Sequence, residues 1–177
     1  MVETLCSEFP RLRTFATLSP IPGFRAWLAK HAQRLLDQMQ GRERTALALA
    51  LGAPASQEVR SQEVLHAAMF LAACEPVSEL DEKSPVRRML LRCCAEYLGH
   101  QQAEDGRPLD AVARFHLANG ARIERLNWAG DMSSKGLKQA YGLMVNYLYD
   151  PKRLDRHRSL LAQGKIPVSS KLADLYI

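Results

Sequence analysis

The sequence contains no apolar run long enough to cross a membrane. Its longest candidate, TALALALGA at residues 45–53, is well short of the ~18 residues that a membrane helix requires. The N-terminal stretch MVETLCSEFPRLRTF carries acidic residues and no apolar core, which excludes a secretory signal peptide. We therefore expect a cytoplasmic protein without a membrane partner.

Cysteines are few, and none of the four is spaced as in a zinc site or a C-x-x-C redox motif. Cys93 and Cys94 are adjacent within an apolar helical pattern, where free cysteines usually behave as small buried side chains. The sequence therefore predicts no metal site.

Aromatic residues are also scarce, at 7% of the chain, while the net charge is +5. A positive excess suits a polyanionic partner, either nucleic acid or a phosphate-bearing small molecule such as coenzyme A. Binding of single-stranded nucleic acid needs aromatic platforms beside the basic residues. We therefore expect no nucleic-acid partner.

The length and composition predict one globular domain over residues 1–177. The chain is 47% apolar and 24% charged, as in ordinary soluble domains. Residues 2–9 are typical of the end of a helix, and residues 13–17 of a short strand that leads to Ser19. Pro20 and Pro22 end that strand, because proline cannot donate to a sheet ladder. The helix that follows has an apolar face of Phe24, Trp27, Leu28, His31 and Leu35.

The middle of the chain, residues 42–102, has helical periodicity. Ser84 and Pro85 mark one helix start, and Arg92 and Glu96 are spaced to pair on its outer side. Asp110 is expected to cap a later helix that ends at Asn119–Gly120. Strands are predicted at residues 121–128 and 143–149. The fold class is therefore α+β, helix-rich with a small mixed sheet.

Two side chains are candidates for chemistry. Ser19 follows a strand and precedes a helix, a place where side chains often reach a ligand crevice. The pattern alone favours a turn or cap serine, and the absence of a G-x-S-x-G elbow argues against a hydrolase nucleophile. His116 titrates near neutrality and so is suited to proton transfer, although a lone histidine is usually a hydrogen-bonded structural residue.

Other polar residues have weaker sequence contexts. His31, His66, His100 and His157 could compete with His116 but lie on an apolar stripe or in polar surroundings. Asp131 and Ser133 are typical of a cap or turn. A basic cluster near the C-terminus is either a solvated face or an attraction for phosphates; its members are Lys152, Arg153, Arg156 and Arg158.

Four short sequence motifs, in the same order along the chain, resemble those of a known family. They are LSPIPGF (residues 18–24), FHLANGA (115–121), RLNWAGDMSSKG (125–136) and GLMVNYLY (142–149). Together they resemble the C-terminal half of malonyl-CoA decarboxylase, from near residue 8 to about residue 150. The resemblance implies a fold related to the GNAT acyltransferases.

The resemblance also implies an activity and a site. The family converts malonyl-CoA to acetyl-CoA and CO2 in fatty-acid and malonate metabolism, without a metal or biotin, and coenzyme A enters as part of the substrate. The serine and histidine of its catalytic pair match Ser19 and His116. The second tyrosine of the NY-x-Y word matches Tyr149, which is expected to bind substrate with them.

The chain departs from the family pattern at its front. The family's helical domain and the loop that holds the coenzyme A pyrophosphate are expected upstream of this region, so the resemblance implies a chain that lacks both. The full-length protein is expected to form a homo-oligomer. Two alternatives stay open for the chain alone: it is active as a decarboxylase, or it is an inactive fragment. Two other functions stay open: a non-catalytic helical interaction module, and another acyl-CoA enzyme of the same fold class.

Overall fold

The computed structural model of the chain describes residue 8, residues 14–53 and residues 65–176. In these residues eight α-helices surround one three-stranded sheet. The strands are β1 (Phe15–Pro20), β2 (Arg122–Asn127) and β3 (Met144–Tyr149). The helices are α1 (Phe24–Gln38), α2 (Gly41–Ala50), α3 (Ala67–Ala73), α4 (Pro85–His100), α5 (Ala111–Ala118), α6 (Ser134–Ala140), α7 (Leu154–Ala162) and α8 (Ser170–Ala173). Apart from Glu8, the predicted helical segment at residues 2–9 lies outside the described residues, as does Cys6.

The sheet has the order β1-β3-β2, with β3 in the centre and antiparallel to both neighbours. One face of β3 is buried, as its alternating pattern requires, and it presents Val145, Tyr147 and Tyr149 to the helices. The prediction of a helix-rich α+β fold is confirmed. The sheet was predicted to be mixed, with both parallel and antiparallel pairs. Its three strands pair antiparallel, and the one parallel pairing among the described residues is an isolated bridge between Ile123 and Val168. The likeness to GNAT acyltransferases stays a prediction.

The turn after β1 sets the entry of α1 into the core. The strand ends at Pro20, and the helix begins at Phe24. Gly23 lies so close to α4 that a Cβ atom at this position would overlap the hydroxyl of Tyr97. The buried face of α1 contains Phe24, Trp27, Leu28, Ala32, Leu35 and Leu36. The predicted apolar stripe is therefore confirmed except for His31, which is only half-buried.

Helix α4 begins where the sequence predicted. The hydroxyl of Ser84 accepts a hydrogen bond from the backbone N–H of Arg87, and Pro85 occupies the first turn. The predicted pairing of Arg92 with Glu96 is wrong. Arg92 instead forms an ion pair with Glu43 on α2 and donates to the carbonyl of Tyr176 at 2.9 Å. Helix α2 packs against α4, so a partner on the neighbouring helix competes with the local one.

Helix α5 is held at both ends. The carboxylate of Asp110 accepts hydrogen bonds from the backbone N–H groups of Val112 and Ala113, which confirms the predicted cap. After α5 the chain turns at Gly120 with φ +85°, and a Cβ atom there would meet the backbone of Leu154 at 2.9 Å. Only glycine fits this left-handed, closely packed position.

The described cysteines are buried thiols. Cys74, Cys93 and Cys94 are free, and burial raises the pKa of each thiol, that of Cys74 to about 12. They are therefore unreactive packing residues, as predicted for Cys93 and Cys94. In the described part of the chain, no group of three or more His, Cys, Asp or Glu side chains is arranged to hold a metal ion.

Candidate active site

Ser19 lies on the inner face of β1, next to the strand's last residue. Side chains alternate along this strand, so that Thr17 and Ser19 point toward the helices while Leu18 is exposed. Across the sheet, Ser19 pairs with Val145 and Thr17 pairs with Tyr147 of β3. Ser19 is 5% exposed, which places a polar hydroxyl in a nearly closed part of the molecule.

His116 lies on α5, against the same face of the sheet. Its ring stacks on that of Tyr147, with ring centroids 4.3 Å apart and an interplanar angle of 18°. The side chain is 9% exposed, and burial lowers the pKa of its imidazole below the ordinary value. At neutral pH the ring is therefore uncharged, and its plane is fixed by the aromatic surface beneath it.

Both nitrogens of His116 have hydroxyl partners. Nε2 lies 3.1 Å from Oγ of Ser19, and Nδ1 lies 2.6 Å from the hydroxyl of Tyr149. The three residues that the family resemblance selected are thus brought together by β1, α5 and β3. A neutral imidazole has one donor and one acceptor nitrogen, whereas each hydroxyl can do either. The three groups therefore form a continuous hydrogen-bonded chain that can relay protons between Tyr149 and Ser19.

Tyr149 lies at the buried end of that chain. It is the last residue of β3, opposite Phe15 of β1, and is 2% exposed. Burial raises the pKa of its phenol, which stays protonated at neutral pH. Its observed contact is with His116, and substrate binding by Tyr149 stays a prediction.

Two members of this cluster have no place in the sequence predictions. Thr17 Oγ1 lies 3.1 Å from Ser19 Oγ, and Tyr147 lies beneath the His116 ring. Two-residue spacing along each strand is the signal that could have found them, since Thr17 is two residues from Ser19 and Tyr147 two from Tyr149. The hydroxyl of Tyr147 has no hydrogen-bond partner among the described residues.

Asp110 anchors the helix that carries His116. In addition to capping α5, it accepts a hydrogen bond from the hydroxyl of Tyr97 on α4 at 3.3 Å. Asp110 is 2% exposed, and this burial raises the pKa of its carboxyl group. Asp110 therefore joins the helix that carries His116 to the longest helix of the core.

The competing histidines have other contacts. Nδ1 of His31 bonds to the carbonyl of Trp27 at 2.7 Å, and Nδ1 of His157 bonds to that of Gly120 at 2.9 Å. His66 and His100 are exposed. The structure thus selects His116 from the five histidines as the one that meets Ser19.

The other polar clusters have structural contacts. Ser133 caps α6 and donates its backbone N–H to Asp131, as predicted. In the basic cluster, Arg158 pairs with Asp155 at 2.9 Å. All four basic residues are exposed, in keeping with a solvated face; they are Lys152, Arg153, Arg156 and Arg158.

Comparison with known proteins gives one family. The family model of the malonyl-CoA decarboxylase C-terminal domain matches residues 1–176. The mitochondrial malonyl-CoA decarboxylase of Mus musculus is 39% identical over 160 residues, which are 84% of this chain and 30% of the mouse protein. That of Anser anser anser is 33% identical over 149 residues, 84% of this chain and 29% of the goose protein.

Solved structures of the family share the fold. Malonyl-CoA decarboxylase from Cupriavidus metallidurans superposes with a TM-score of 0.78 at 39% identity, over 98% of this chain and 41% of that one. The enzyme from Rhodopseudomonas palustris gives a TM-score of 0.68 at 34% identity, over 99% of this chain and 36% of that one. The chain thus spans well under half the length of these relatives. It belongs to the malonyl-CoA decarboxylase family and corresponds to the family's C-terminal domain.

Proposed function

We propose that this chain carries the catalytic groups that convert malonyl-CoA to acetyl-CoA and CO2. The observation that supports the proposal most strongly is the hydrogen bond between Ser19 Oγ and His116 Nε2 in a family of decarboxylases. Generic packing does not require a buried serine on a strand and a buried histidine on a helix to meet at the same face of the sheet. Both residues are also nearly inaccessible to bulk water, which would compete for a reactive carbanion.

The reaction needs two things from the protein: hydrogen-bond donors for an enolate and an acid that protonates carbon. The bond between the α-carbon and the carboxylate breaks, CO2 leaves, and the electron pair moves into the thioester as an enolate. Hydrogen-bond donors must then stabilise the enolate oxygen, and an acid must protonate the α-carbon. The thioester carbonyl is itself the electron sink, so the proposed mechanism uses no metal or organic cofactor.

His116 supplies the proton through Ser19 in this mechanism. A phenol is a better donor than an imidazole N–H, so the short contact is assigned as Tyr149 O–H donating to Nδ1. Nε2 then carries the ring proton and donates it to Ser19 Oγ. When the Ser19 proton passes to the α-carbon, the Nε2 proton passes to Ser19 and the Tyr149 proton to Nδ1. After the product leaves, a solvent proton enters at Ser19 and the three transfers reverse, which restores the phenol and the original His116 tautomer.

The substrate contacts follow from this chain of donors. Ser19 is placed to touch the malonyl group, with His116 directly behind it, and both are proposed as substrate-binding as well as catalytic. Tyr149 acts through His116, from the opposite side of the ring. It holds the ring proton on Nε2 before the transfer, and it supplies a proton to Nδ1 as Nε2 gives its own to Ser19.

The cellular setting is likewise part of the proposal. No helix within the described ranges is long and apolar enough to cross a membrane. We propose a cytoplasmic location, a role in fatty-acid and malonate metabolism, and a homo-oligomer for the full-length protein, with no membrane or nucleic-acid partner. The curated relatives from mouse and goose are named as mitochondrial, so location is a point on which family members differ.

Product analysis tests the proposal. The purified chain is incubated with malonyl-CoA, and acetyl-CoA and CO2 are quantified, with and without an added amine. Equal amounts of both products, independent of the amine, support decarboxylation. Malonyl transfer to the amine would instead show another acyl-CoA enzyme. No turnover and no stabilisation by coenzyme A would favour a non-catalytic interaction module.

A further inference from the structure

Among the described residues, the hydroxyl of Thr17 is the one further polar side-chain group, besides that of Tyr149, within hydrogen-bond distance of the proposed catalytic pair. Thr17 Oγ1 lies 3.1 Å from Ser19 Oγ, on the same face of β1. Ser19 therefore has two polar neighbours, Thr17 on one side and His116 on the other. Of the three residues, Thr17 is the most accessible, since it is half-buried whereas the other two are buried.

The hydrogen-bonding capacity of Ser19 Oγ explains how a second polar neighbour can orient the hydroxyl. A serine hydroxyl has one proton and two lone pairs. If His116 Nε2–H fills one lone pair and Thr17 O–H fills the other, both acceptor positions are occupied. The Ser19 proton is then the one group left for the substrate. Without Thr17, the hydroxyl could rotate away from the direction that the reaction needs.

We propose that Thr17 is a positioning residue that fixes the hydroxyl of Ser19 and directs its proton toward the malonyl group. The proposal rests on the proposed function, because it assigns Thr17 a part in the same proton transfer. Thr17 acts through Ser19 and not by its own contact with substrate. Its effect should therefore disappear when Ser19 is absent.

The chain permits a well-matched set of variants. Thr17→Val removes the hydroxyl but keeps the β-branched shape that a strand favours. Thr17→Ser restores the hydroxyl. Thr45→Val is the control, since it removes a hydroxyl that bonds to the carbonyl of Gly41 on α2, outside the cluster. Ser19→Ala, alone and combined with Thr17→Val, completes a double-mutant cycle.

Kinetics give the first measurement. Thr17→Val should lower kcat by about 5–10-fold with KM changed less than about twofold, because one neutral hydrogen bond that matters in the transition state is lost. Thr17→Ser should recover most of the loss. In the Ser19→Ala background, Thr17→Val should have no further effect. Full activity of Thr17→Val, or effects that simply add in the double variant, would overturn the proposal.

A spectroscopic measurement separates this proposal from the function on which it rests. In nitrogen NMR of the full chain, Thr17→Val should shift the His116 Nε2 signal in the same direction as Ser19→Ala, by a smaller amount. Thr45→Val should leave that signal in place. If the shift occurs but no variant and no wild-type protein turns over malonyl-CoA, the positioning role stands and the decarboxylase proposal fails. An unchanged Nε2 signal in Thr17→Val would overturn the positioning role itself.

Discussion

The hydroxyl of Tyr149 lies 2.6 Å from Nδ1 of His116, on the side of the ring opposite Ser19. In the proposed mechanism, a phenol in that place holds the imidazole in the tautomer whose proton lies on Nε2. In general, the hydrogen bond made by one nitrogen of a histidine decides which of the two nitrogens is protonated. The position of Tyr149 therefore determines what His116 can offer to Ser19.

Tyr149→Phe tests that assignment directly. The variant keeps the ring in its buried position but removes the donor to Nδ1, so both tautomers of His116 become populated. We expect kcat to fall by about tenfold, the scale of one lost hydrogen bond, with a smaller change in KM. Nitrogen NMR should show a protonated Nε2 in wild type and a mixture in the variant. A variant with the wild-type tautomer would contradict the assignment.

The pH dependence follows from the direction of the His116 pKa. Burial lowers this pKa from its ordinary value of 6.5, and burial raises that of Tyr149. The neutral imidazole is the proposed working form, so kcat/KM should be flat from about pH 7 to 9 and decrease on acidification below the ordinary histidine range. An increase on acidification would show that the imidazolium is the donor and contradict the mechanism.

The same pKa shift affects stability. Below pH 6.5 the unfolded chain binds a proton at His116 that the folded chain does not yet bind. The free energy of unfolding should therefore decrease as pH falls through 6.5, until the folded pKa is passed. Urea unfolding of His116→Gln should show a weaker dependence in this window than wild type. Equal dependences would show that burial does not disfavour the charged ring.

Asp110→Ala should destabilise the protein through the start of α5. It removes the acceptor for two backbone N–H groups and for Tyr97, and the loss of a helix cap costs about 1 kcal/mol, within a range of about 0.5–2 kcal/mol. Asp110→Asn is the matched control, because asparagine caps helices as well as aspartate does. Denaturant unfolding measures both. If Asn were as harmful as Ala, the cap would not be the cause.

Replacements of Tyr147 separate its ring from its hydroxyl. The ring stacks on His116, whereas the hydroxyl has no partner among the described residues, so Tyr147→Phe should keep both activity and stability near wild type. Tyr147→Leu removes the stacking surface and should lower kcat by about fivefold, since such aromatic contacts contribute about 1 kcal/mol. Activity assays with unfolding curves check both. Wild-type kcat in the Leu variant would show that the ring does not orient His116.

Local signals in the sequence predicted much of this fold. Ser84 with Pro85 marked the start of α4, Asp110 marked the start of α5, and Gly120 its end. These features depend on residues next to one another, where side-chain hydrogen bonds and backbone φ are decisive. The Ser19–His116 pairing came from the family resemblance, because nothing local brings together residues so far apart in the chain.

Features that depend on strand register or on neighbouring helices were not predicted. Tyr147 lies beneath His116 because β3 pairs with β1 in one register, which sequence alternation alone does not define. Arg92 prefers Glu43 to its local partner because α2 packs beside α4. The hydroxyl of Thr17 contributes to the site through its position on a strand face, and its identity alone gave no signal.

The most direct test of the account compares acetyl-CoA formation from malonyl-CoA by wild type, Ser19→Ala, His116→Ala and His66→Ala under one set of conditions. His66 is exposed and outside the cluster, so its variant controls for the loss of any imidazole. The proposed mechanism predicts turnover by wild type and His66→Ala, and a loss of about 10²–10⁴-fold in His116→Ala, the usual contribution of general acid catalysis. Ser19→Ala should show a comparable loss. Undiminished turnover by His116→Ala would contradict the central claim.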